Sequence, residues 1–301
     1  MSHFNSESTI KDVLLNKELK KFAPFFYYCF PEEIISKRID DTSWYAREAI
    51  NWFYDKTIEG KTTIHYLNKK QKNANLIQIS HKNAAKLAFI VSGGGFVNID
   101  TAHEGIPIGK ELYDRGYDIF LLTYRLGKEA KLDNTTKDIN KAISYIIKNK
   151  KELNVDIKDF ILIGGSAGAY IAESYCSNNR GYIKHYNPQP KYLCLLYPIT
   201  DFSIRETTIK NVVIGYNPSR YLISKYSIVN HVKGTFPPTF IVHSKDDDCV
   251  NVEQSIRLHK SLTKNGIKNE LMLLESGRHG WGIGKKLEAE KWFESFLNFI
   301  K

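Results

Sequence analysis

Apolar and polar positions along the chain alternate between short apolar runs and longer amphipathic segments. Runs too short for helices, or alternating with a period of two, predict strands at 62–67, 76–80, 87–91, 118–124, 160–163, 192–198, 239–243 and 270–274. Amphipathic stretches predict helices at 102–115, 137–153, 169–175, 252–265 and 286–300. The first two strands flank a Lys- and Asn-rich turn, which predicts a hairpin. The later alternation of strand and helix predicts β–α–β units and a mostly parallel, twisted α/β sheet flanked by helices.

Two segments fall outside this alternation. Residues 1–58 predict a helical N-terminal extension, with helices at 10–22 and 43–54 and an aromatic run at 25–30. Two hypotheses fit that extension: it packs on the domain, or its aromatic run forms part of an apolar cap over a pocket. Residues 202–235 have a weak strand pattern and form a candidate cap insert. We find no repeat and no linker, so the prediction is a single α/β domain spanning 1–301.

The first candidate for chemistry is a serine between two predicted elements. The sequence Gly164-Gly165-Ser166-Ala167-Gly168 joins the strand at 160–163 to the following helix. A serine at the tip of so sharp a turn needs neighbours without bulk, which lets strand and helix approach each other. This context predicts Ser166 as a nucleophile, which then needs a base held in one tautomer by a carboxylate.

Candidate partners for this serine follow two later strands. Asp246, Asp247 and Asp248 come after the strand at 239–243, and His279 comes after the strand at 270–274. Because functional groups collect at the carboxyl ends of parallel strands, we expect an aspartate and His279 to lie beside the serine. The chain order Ser, Asp, His is one of the known triad orders. His243 ends a strand but precedes the acid, so a structural role is predicted for it.

Acyl transfer also needs hydrogen-bond donors for a developing oxyanion. The backbone N–H of Ala167, directly after the serine, is one candidate. The loop Ser92-Gly93-Gly94-Gly95-Phe96 ends the strand at 87–91, and its glycines leave the backbone open to approach. Sequence therefore predicts the second half of an oxyanion hole in this loop.

These stretches together resemble a known family. From about residue 87 onward the chain is similar to α/β hydrolases of the hormone-sensitive-lipase-like and acetyl-esterase-like carboxylesterase group. The stretches that carry the resemblance are 93–96, 123–126, 164–168, 196–201, 237–243, Asp247 with Val250, and His279-Gly280. The family places its acid four residues beyond the strand-ending histidine, so the resemblance selects Asp247. It also implies Gly94, Gly95 and Ala167 as the oxyanion-hole donors.

The chain departs from that family pattern at two positions. Ser92 stands where the family has a histidine, which alters how the glycine loop is held. Gly165 stands where the lipase-like branch has an acidic residue, which favours the acetyl-esterase-like and peptidase-like branches. Both departures bear on the substrate class more than on the mechanism.

The resulting prediction is a serine hydrolase that cleaves carboxylic esters through a Ser166–His279–Asp247 triad and an acyl-enzyme. Phe96, Tyr197 and Trp281 are predicted to line the acyl pocket, and their bulk favours a short acyl group such as acetyl. Two alternatives stay open. One is a small peptidase or amidase of the prolyl-peptidase type, and the other is a catalytically silent binding protein with this fold.

The composition of the chain limits the kinds of partner that we expect it to bind. The net charge is +10, but the 43 basic residues are scattered and lack a nucleic-acid motif, so we predict solvated surface and no nucleic-acid partner. Acidic substrates and anionic surfaces stay open as partners of this positively charged chain. The four cysteines have no paired spacing, so neither a metal nor another cofactor is predicted beside the small-molecule ester. No apolar stretch approaches membrane-span length and the first residues do not resemble a signal peptide, which predicts a cytoplasmic location.

Overall fold

One sheet organises the chain. The structure is a computed structural model that describes residues 3–26, 32–41, 46–67, 74–81, 83, 85–204 and 207–301. Within these residues eight strands pair: β1 Thr62–Tyr66, β2 Asn75–Ile79, β3 Lys86–Val91, β4 Tyr117–Thr123, β5 Asp156–Gly165, β6 Tyr192–Leu196, β7 Thr239–Ser244 and β8 Asn269–Leu274. All eight correspond to predicted strands, and only their ends differ.

Twelve α-helices lie among the remaining described residues. They are α1 Ile10–Leu15, α2 Ala23–Phe26, α3 Glu32–Ile35, α4 Ala46–Ile58, α5 Ile106–Tyr113, α6 Leu132–Asn149, α7 Ala167–Cys176, α8 Tyr182–His185, α9 Thr207–Val213, α10 Arg220–Tyr226, α11 Glu253–Lys264 and α12 Lys291–Phe299. Short 3₁₀ turns lie at Ile39–Asp41, Gly127–Glu129, Ile228–Asn230 and Glu288–Glu290, and a π-helix at Thr101–Gly105 precedes α5.

The strand order is β1-β2-β4-β3-β5-β6-β7-β8. The pairs β1–β2 and β2–β4 are antiparallel, and the other five pairs are parallel. The predicted hairpin and the predicted mostly parallel α/β sheet are therefore confirmed. Because strands β3 and β5 to β8 run in the same direction, the loops after their carboxyl ends meet along one edge of the sheet.

Side chains alternate between the two faces of the sheet and build a core on each. Phe89 and Leu162 face a core shared with α6, α7 and α11. Their chain neighbours Ile90 and Ile163 face a second core shared with α4, α5 and α12. This two-residue alternation inside continuous apolar runs is what a sheet covered on both faces requires.

The N-terminal helices contribute to the second core. Phe22 and Phe26 are buried, and each ring meets the ring of Phe53 edge to face at centroid distances of 5.0 and 5.2 Å. Of the predicted aromatic run 25–30, only Phe25 and Phe26 are described, and both are buried. The hypothesis that this run caps a pocket falls mainly on residues outside the described part of the chain. The candidate insert at 202–235 contains α9 and α10.

Some predicted boundaries are wrong for identifiable local reasons. The helix predicted at 10–22 ends at Leu15, where Asn16 takes an extended conformation. The helix predicted at 102–115 begins one residue earlier as the π-helix, whose wider turn has no simple apolar period. Periodicity detects a helix more reliably than it detects where the helix type changes.

Helix α7 carries a buried acid, which yields a stability prediction. The Glu173 side chain is fully buried, and its two carboxyl oxygens have no hydrogen-bond partner among the described residues. Burial raises its pKa well above the ordinary glutamate value. The folded chain therefore holds the neutral acid at pH values where the unfolded chain holds the carboxylate.

Because the pKa of Glu173 is higher in the folded state, its contribution to stability is complete below the unfolded pKa and is lost as pH rises. Glu173→Gln removes this titration. We expect the free energy of unfolding of the wild type, relative to Glu173→Gln, to fall by up to about 1.4 kcal/mol per pH unit above about pH 5. Urea unfolding of both proteins across neutral pH measures this difference, and parallel pH curves would contradict the prediction.

Candidate active site

Ser166 sits on a strained turn between β5 and α7. Its φ is 51°, a conformation that side-chain-bearing residues seldom adopt. A Cβ at Gly164 would lie 2.6 Å from the Cα of Ala169, and a Cβ at Gly168 would overlap the carbonyl oxygen of Val91. These two glycines therefore let the helix start directly against the sheet, which fixes the serine at the sheet edge.

The hydroxyl of Ser166 begins a chain of three side chains. His279 Nε2 lies 2.9 Å from Ser166 Oγ, and His279 Nδ1 lies 2.7 Å from Asp247 Oδ2. A carboxylate can only accept, so Nδ1 carries the hydrogen and Nε2 is free to accept the Ser166 O–H. The geometry is that of a hydroxyl with a base in reach and an acid that holds the base in one tautomer.

Asp247 is itself held firmly as the anion. Its Oδ1 accepts the N–H groups of Cys249 and Val250 at 2.9 and 2.8 Å, and its Oδ2 also accepts from His243 Nε2 at 3.1 Å. Burial favours the neutral acid, but hydrogen bonds from His243 and His279, together with the charge of His279, outweigh it and lower the pKa of Asp247. The carboxylate therefore stays charged throughout the neutral range.

The structure brings only one of the three consecutive aspartates to His279. Asp246 accepts the backbone N–H of Arg278 at 2.8 Å, and Asp248 pairs with the Arg278 guanidinium at 3.1 Å. Sequence predicted a structural role for His243 but did not predict that this side chain would hold Asp247. Besides donating to Asp247, it accepts from the Ser255 hydroxyl at 2.7 Å, which ties the acid to α11.

The glycine loop at residues 92–96 lies against Ser166. A Cβ at Gly93 would lie 2.8 Å from the Cβ of Ser166. Gly94 and Gly95 have φ values of 125° and 62°, and the carbonyl of Gly94 accepts the N–H groups of Val97 and Asn98. Among the described residues, no protein group accepts the N–H of Gly94, Gly95 or Ala167.

The glycine loop is held in place without the histidine that the hydrolase family has at the position of Ser92. The Ser92 hydroxyl is buried and bonds to none of the described residues. Instead, the Tyr124 hydroxyl donates to the carbonyl oxygens of Ser92 and Gly93 at 3.0 and 3.3 Å. A second group, the carboxylate of Glu104, accepts the N–H of Gly93 at 2.5 Å.

Glu104 is the site residue that sequence reasoning missed. Its carboxyl is buried within the π-helix at Thr101–Gly105, and it also accepts the hydroxyl of Tyr197 at 2.8 Å. Burial, reinforced by the nearby Asp100 carboxylate, raises its pKa against the opposing hydrogen bonds from Gly93 and Tyr197. The one available signal was the absence of a side chain at Gly93 and Gly165, both of which face this carboxyl.

The three predicted pocket residues are buried against protein. Phe96 packs edge to face on Tyr124, and Tyr197 packs in the same way on Trp281 with ring centroids 4.9 Å apart. The exposed fractions of Phe96, Tyr197 and Trp281 are 0%, 0% and 2%, so contact with an acyl group requires these side chains to move. Their assignment to the acyl pocket stays a prediction, without support from their placement.

The described residues contain no group of three or more His, Cys, Asp or Glu side chains arranged to hold a metal ion. Cys176 and Cys194 are buried, and Cys249 is exposed. In that same part of the chain, no helix combines the length and apolar character needed to cross a membrane.

The fold and the geometry at its sheet edge define an α/β hydrolase. The BD-FAE family model matches residues 76–262, which is more than half of the chain. The chain belongs to the BD-FAE family. The predicted resemblance to α/β-hydrolase carboxylesterases is therefore confirmed for fold and family.

Individual relatives are more distant. Endo-1,4-beta-xylanase B of Butyrivibrio fibrisolvens is 27% identical over 231 residues, which cover 72% of this chain but 36% of the xylanase. An isoprenylcysteine alpha-carbonyl methylesterase of Arabidopsis thaliana is 22% identical over 255 residues. The matched region covers 78% of this chain and 59% of the methylesterase. The solved acetyl ester-xyloside bifunctional hydrolase of Caldicellulosiruptor lactoaceticus is 26% identical with a TM-score of 0.68, covering 79% of this chain and 97% of its own.

Proposed function

We propose that this chain hydrolyses carboxylic esters, with Ser166 as the nucleophile of an acyl-enzyme. The observation that carries the proposal is the unbroken hydrogen-bond chain from Ser166 through His279 to the buried Asp247. Family membership supports it, as does the similarity to a protein named for acetyl ester hydrolysis. Metal ions and cofactors have no part in the steps below.

In the first step the Ser166 oxygen attacks the ester carbonyl carbon while His279 Nε2 takes the hydroxyl proton. The carbonyl π-electrons move onto oxygen, and the N–H groups of Gly94, Gly95 and Ala167 donate to that oxyanion. Asp247 stabilises the doubly protonated imidazole through its bond to Nδ1. This assignment uses the backbone donors that have no other acceptor among the described residues.

In the second step the oxyanion collapses and the bond to the alcohol oxygen breaks. His279 gives its proton to that leaving oxygen, so the alcohol departs and an acyl-Ser166 ester remains. Water then attacks the acyl carbon as His279 takes one of its protons. Collapse of this second intermediate releases the carboxylic acid and returns the proton to Ser166.

The proposed acyl group is short, such as acetyl. Ser166 is only 5% exposed, and the aromatic side chains of Phe96 and Tyr197 are packed in place near the sheet edge. Accommodating a long chain would require this packing to open, which costs the buried contacts. The neighbouring structure named for acetyl esters is consistent with this preference.

A substrate panel tests the activity and its class. Nitrophenyl acetate, butyrate and octanoate are compared with an acetylated xyloside and with aminoacyl nitroanilides, with Ser166→Ala as the matched control. We expect kcat/KM to be highest for acetate or butyrate, with no turnover by the control. Highest activity on anilides would instead establish a peptidase, and no turnover of any substrate would favour a binding protein.

The two oxyanion-loop glycines yield a paired prediction. A Cβ at Gly94 would overlap the carbonyl oxygen of Asn98, whereas a Cβ at Gly95 meets nothing nearer than 3.9 Å. We expect Gly94→Ala to lower kcat by about 100-fold or more, because the loop must unfold to accommodate it. Gly95→Ala has only its positive φ to oppose it and is expected to cost about tenfold or less. Equal kcat values for the two variants would contradict this steric account.

A further inference from the structure

The carboxyl of Glu104 contacts or bonds to the three segments that meet in the proposed site. We infer that Glu104 is a positioning residue. It holds the glycine loop at residues 92–96, and the loop after β8 that carries His279, in place relative to Ser166. The inference rests on the ester-hydrolase proposal above. It assigns Glu104 no contact with substrate.

The first connection is to the glycine loop. Glu104 Oε2 accepts the N–H of Gly93 at 2.5 Å, directly before the two proposed donors Gly94 and Gly95. The carbonyl of Gly93 also accepts the N–H of Asp100, so both peptide groups of this residue are bonded near the π-helix. The direction in which the following N–H groups point therefore depends on this anchor.

The second connection reaches the loop that carries His279. The Tyr197 hydroxyl donates to Glu104 Oε1 at 2.8 Å and accepts the N–H of Gly282 at 3.1 Å. The ring of Tyr197 also packs on the imidazole of His279, with centroids 4.6 Å apart. Glu104 thus orients a phenol that contacts the histidine on one side and its loop on the other.

The third connection is steric and lies beside the nucleophile. The three atoms nearest a Cβ built at Gly165 all belong to the Glu104 carboxyl, at 2.7, 3.0 and 3.3 Å. A Cβ built at Gly93 would likewise lie 2.9 Å from Glu104 Oε2. The space that a side chain preceding Ser166 would fill is therefore occupied by a carboxyl from the π-helix.

Burial raises the pKa of Glu104, but both of its hydrogen-bond partners donate and so favour the carboxylate form in this position. The Gly93 N–H and the Tyr197 O–H each need an acceptor, and the two oxygens of Glu104 supply them together. An amide in the same place offers one acceptor and one donor, so Glu104→Gln keeps the volume but loses one of the two bonds. The predicted defect is then misplacement of catalytic groups rather than loss of packing.

The primary test compares Glu104→Gln with the wild type on the best ester of the panel. We expect kcat to fall about 10- to 100-fold with KM changed by less than about threefold, because small misplacements of reacting groups slow the chemical step. Circular dichroism and thermal unfolding report whether the fold is kept. A kcat within about twofold of the wild type would overturn the inference.

A double-mutant cycle with Gly165 tests whether the contact between Glu104 and the residue before Ser166 is coupled to catalysis. Gly165→Ala alone places a methyl against the Glu104 carboxyl and is expected to lower kcat about tenfold. In the Glu104→Ala background that methyl has room, so the same substitution is expected to change kcat by less than about twofold. Additive losses in the cycle would overturn the inference. Because the single variant Gly165→Ala keeps Glu104, its kcat remains informative if Glu104→Gln is unstable.

Two controls distinguish the possible failures. Glu173→Gln changes a second buried glutamate, which lies in α7 seven residues after Ser166, and is expected to leave kcat unchanged within about twofold. Ser166→Ala reports on the proposed function itself. An inactive Ser166→Ala beside a fully active Glu104→Gln would refute the positioning role alone, whereas an active Ser166→Ala would refute the ester-hydrolase mechanism on which it rests.

Discussion

Replacing Ser166 by alanine is expected to lower kcat for nitrophenyl acetate by about 10,000-fold or more, while the protein keeps its fold. The substitution removes the oxygen that attacks the ester and leaves the base and the acid in place. Among the described residues, the hydrogen-bond partner of Ser166 Oγ is His279 Nε2, so the substitution removes this one side-chain bond. Steady-state kinetics with wild type and variant prepared in parallel measure this loss.

Cysteine at the same position provides a control for the assignment. Ser166→Cys keeps a nucleophile of similar shape within reach of His279, so it is expected to form an acyl-enzyme that turns over more slowly than the wild type. Burst kinetics distinguish the two variants, since only the cysteine form should accumulate acylated protein. A Ser166→Ala protein with activity close to that of the wild type would contradict the proposed mechanism.

Asp247→Asn is expected to have the second largest effect, a fall in kcat of about 1,000- to 10,000-fold. The amide of an asparagine donates toward His279 Nδ1, which favours the tautomer with its hydrogen on Nε2 and blocks proton transfer from Ser166. The change also removes the charge that stabilises the protonated imidazole. Initial rates across neutral pH, together with a thermal unfolding curve, separate lost catalysis from lost stability.

The neighbouring Asp248 supplies a matched control for that variant. Its side chain is exposed and pairs with the guanidinium of Arg278 rather than with the imidazole of His279. Asp248→Asn is therefore expected to change kcat by less than about threefold, since exposed ion pairs contribute little. Similar losses in the two variants would show that charge in the loop as a whole matters, which would contradict the specific role of Asp247.

Sequence predicted the features of this fold that are encoded locally. The apolar runs around Phe89 and Leu162 give the central strands, because a strand covered on both faces needs apolar residues at every position. The glycines around Ser166 gave the turn, because only residues without side chains fit between strand and helix. The serine, the histidine and a group of three aspartates followed from their places after strands.

The choice of Asp247 among the three aspartates needed the resemblance to a family. Chain position alone treats the three residues alike, since the loop after β7 can direct any one of them toward His279. In the structure the backbone N–H groups of Cys249 and Val250 hold Asp247 inward, while Arg278 binds its two neighbours. Hydrogen bonds to the backbone of a loop leave no pattern in the sequence.

Glu104 was missed because its partners are distant in sequence and ordinary in composition. It contacts Gly93, Gly165 and Tyr197, and nothing in a predicted amphipathic helix marks one glutamate as buried. The expectation that Phe96 and Trp281 line the pocket followed from their positions beside motif residues. Their packing into the two cores is decided by neighbours that the sequence does not reveal.

Labelling with a fluorophosphonate, followed by peptide mass spectrometry, tests the central claim most directly. Such a probe reacts covalently with a serine only where a base and an oxyanion site activate it. We predict one adduct per chain, located on the peptide that contains Ser166, with no adduct in Ser166→Ala and slow labelling in Asp247→Asn. An ester-cleaving preparation that takes up no probe, or that takes it up at another residue, would contradict the account.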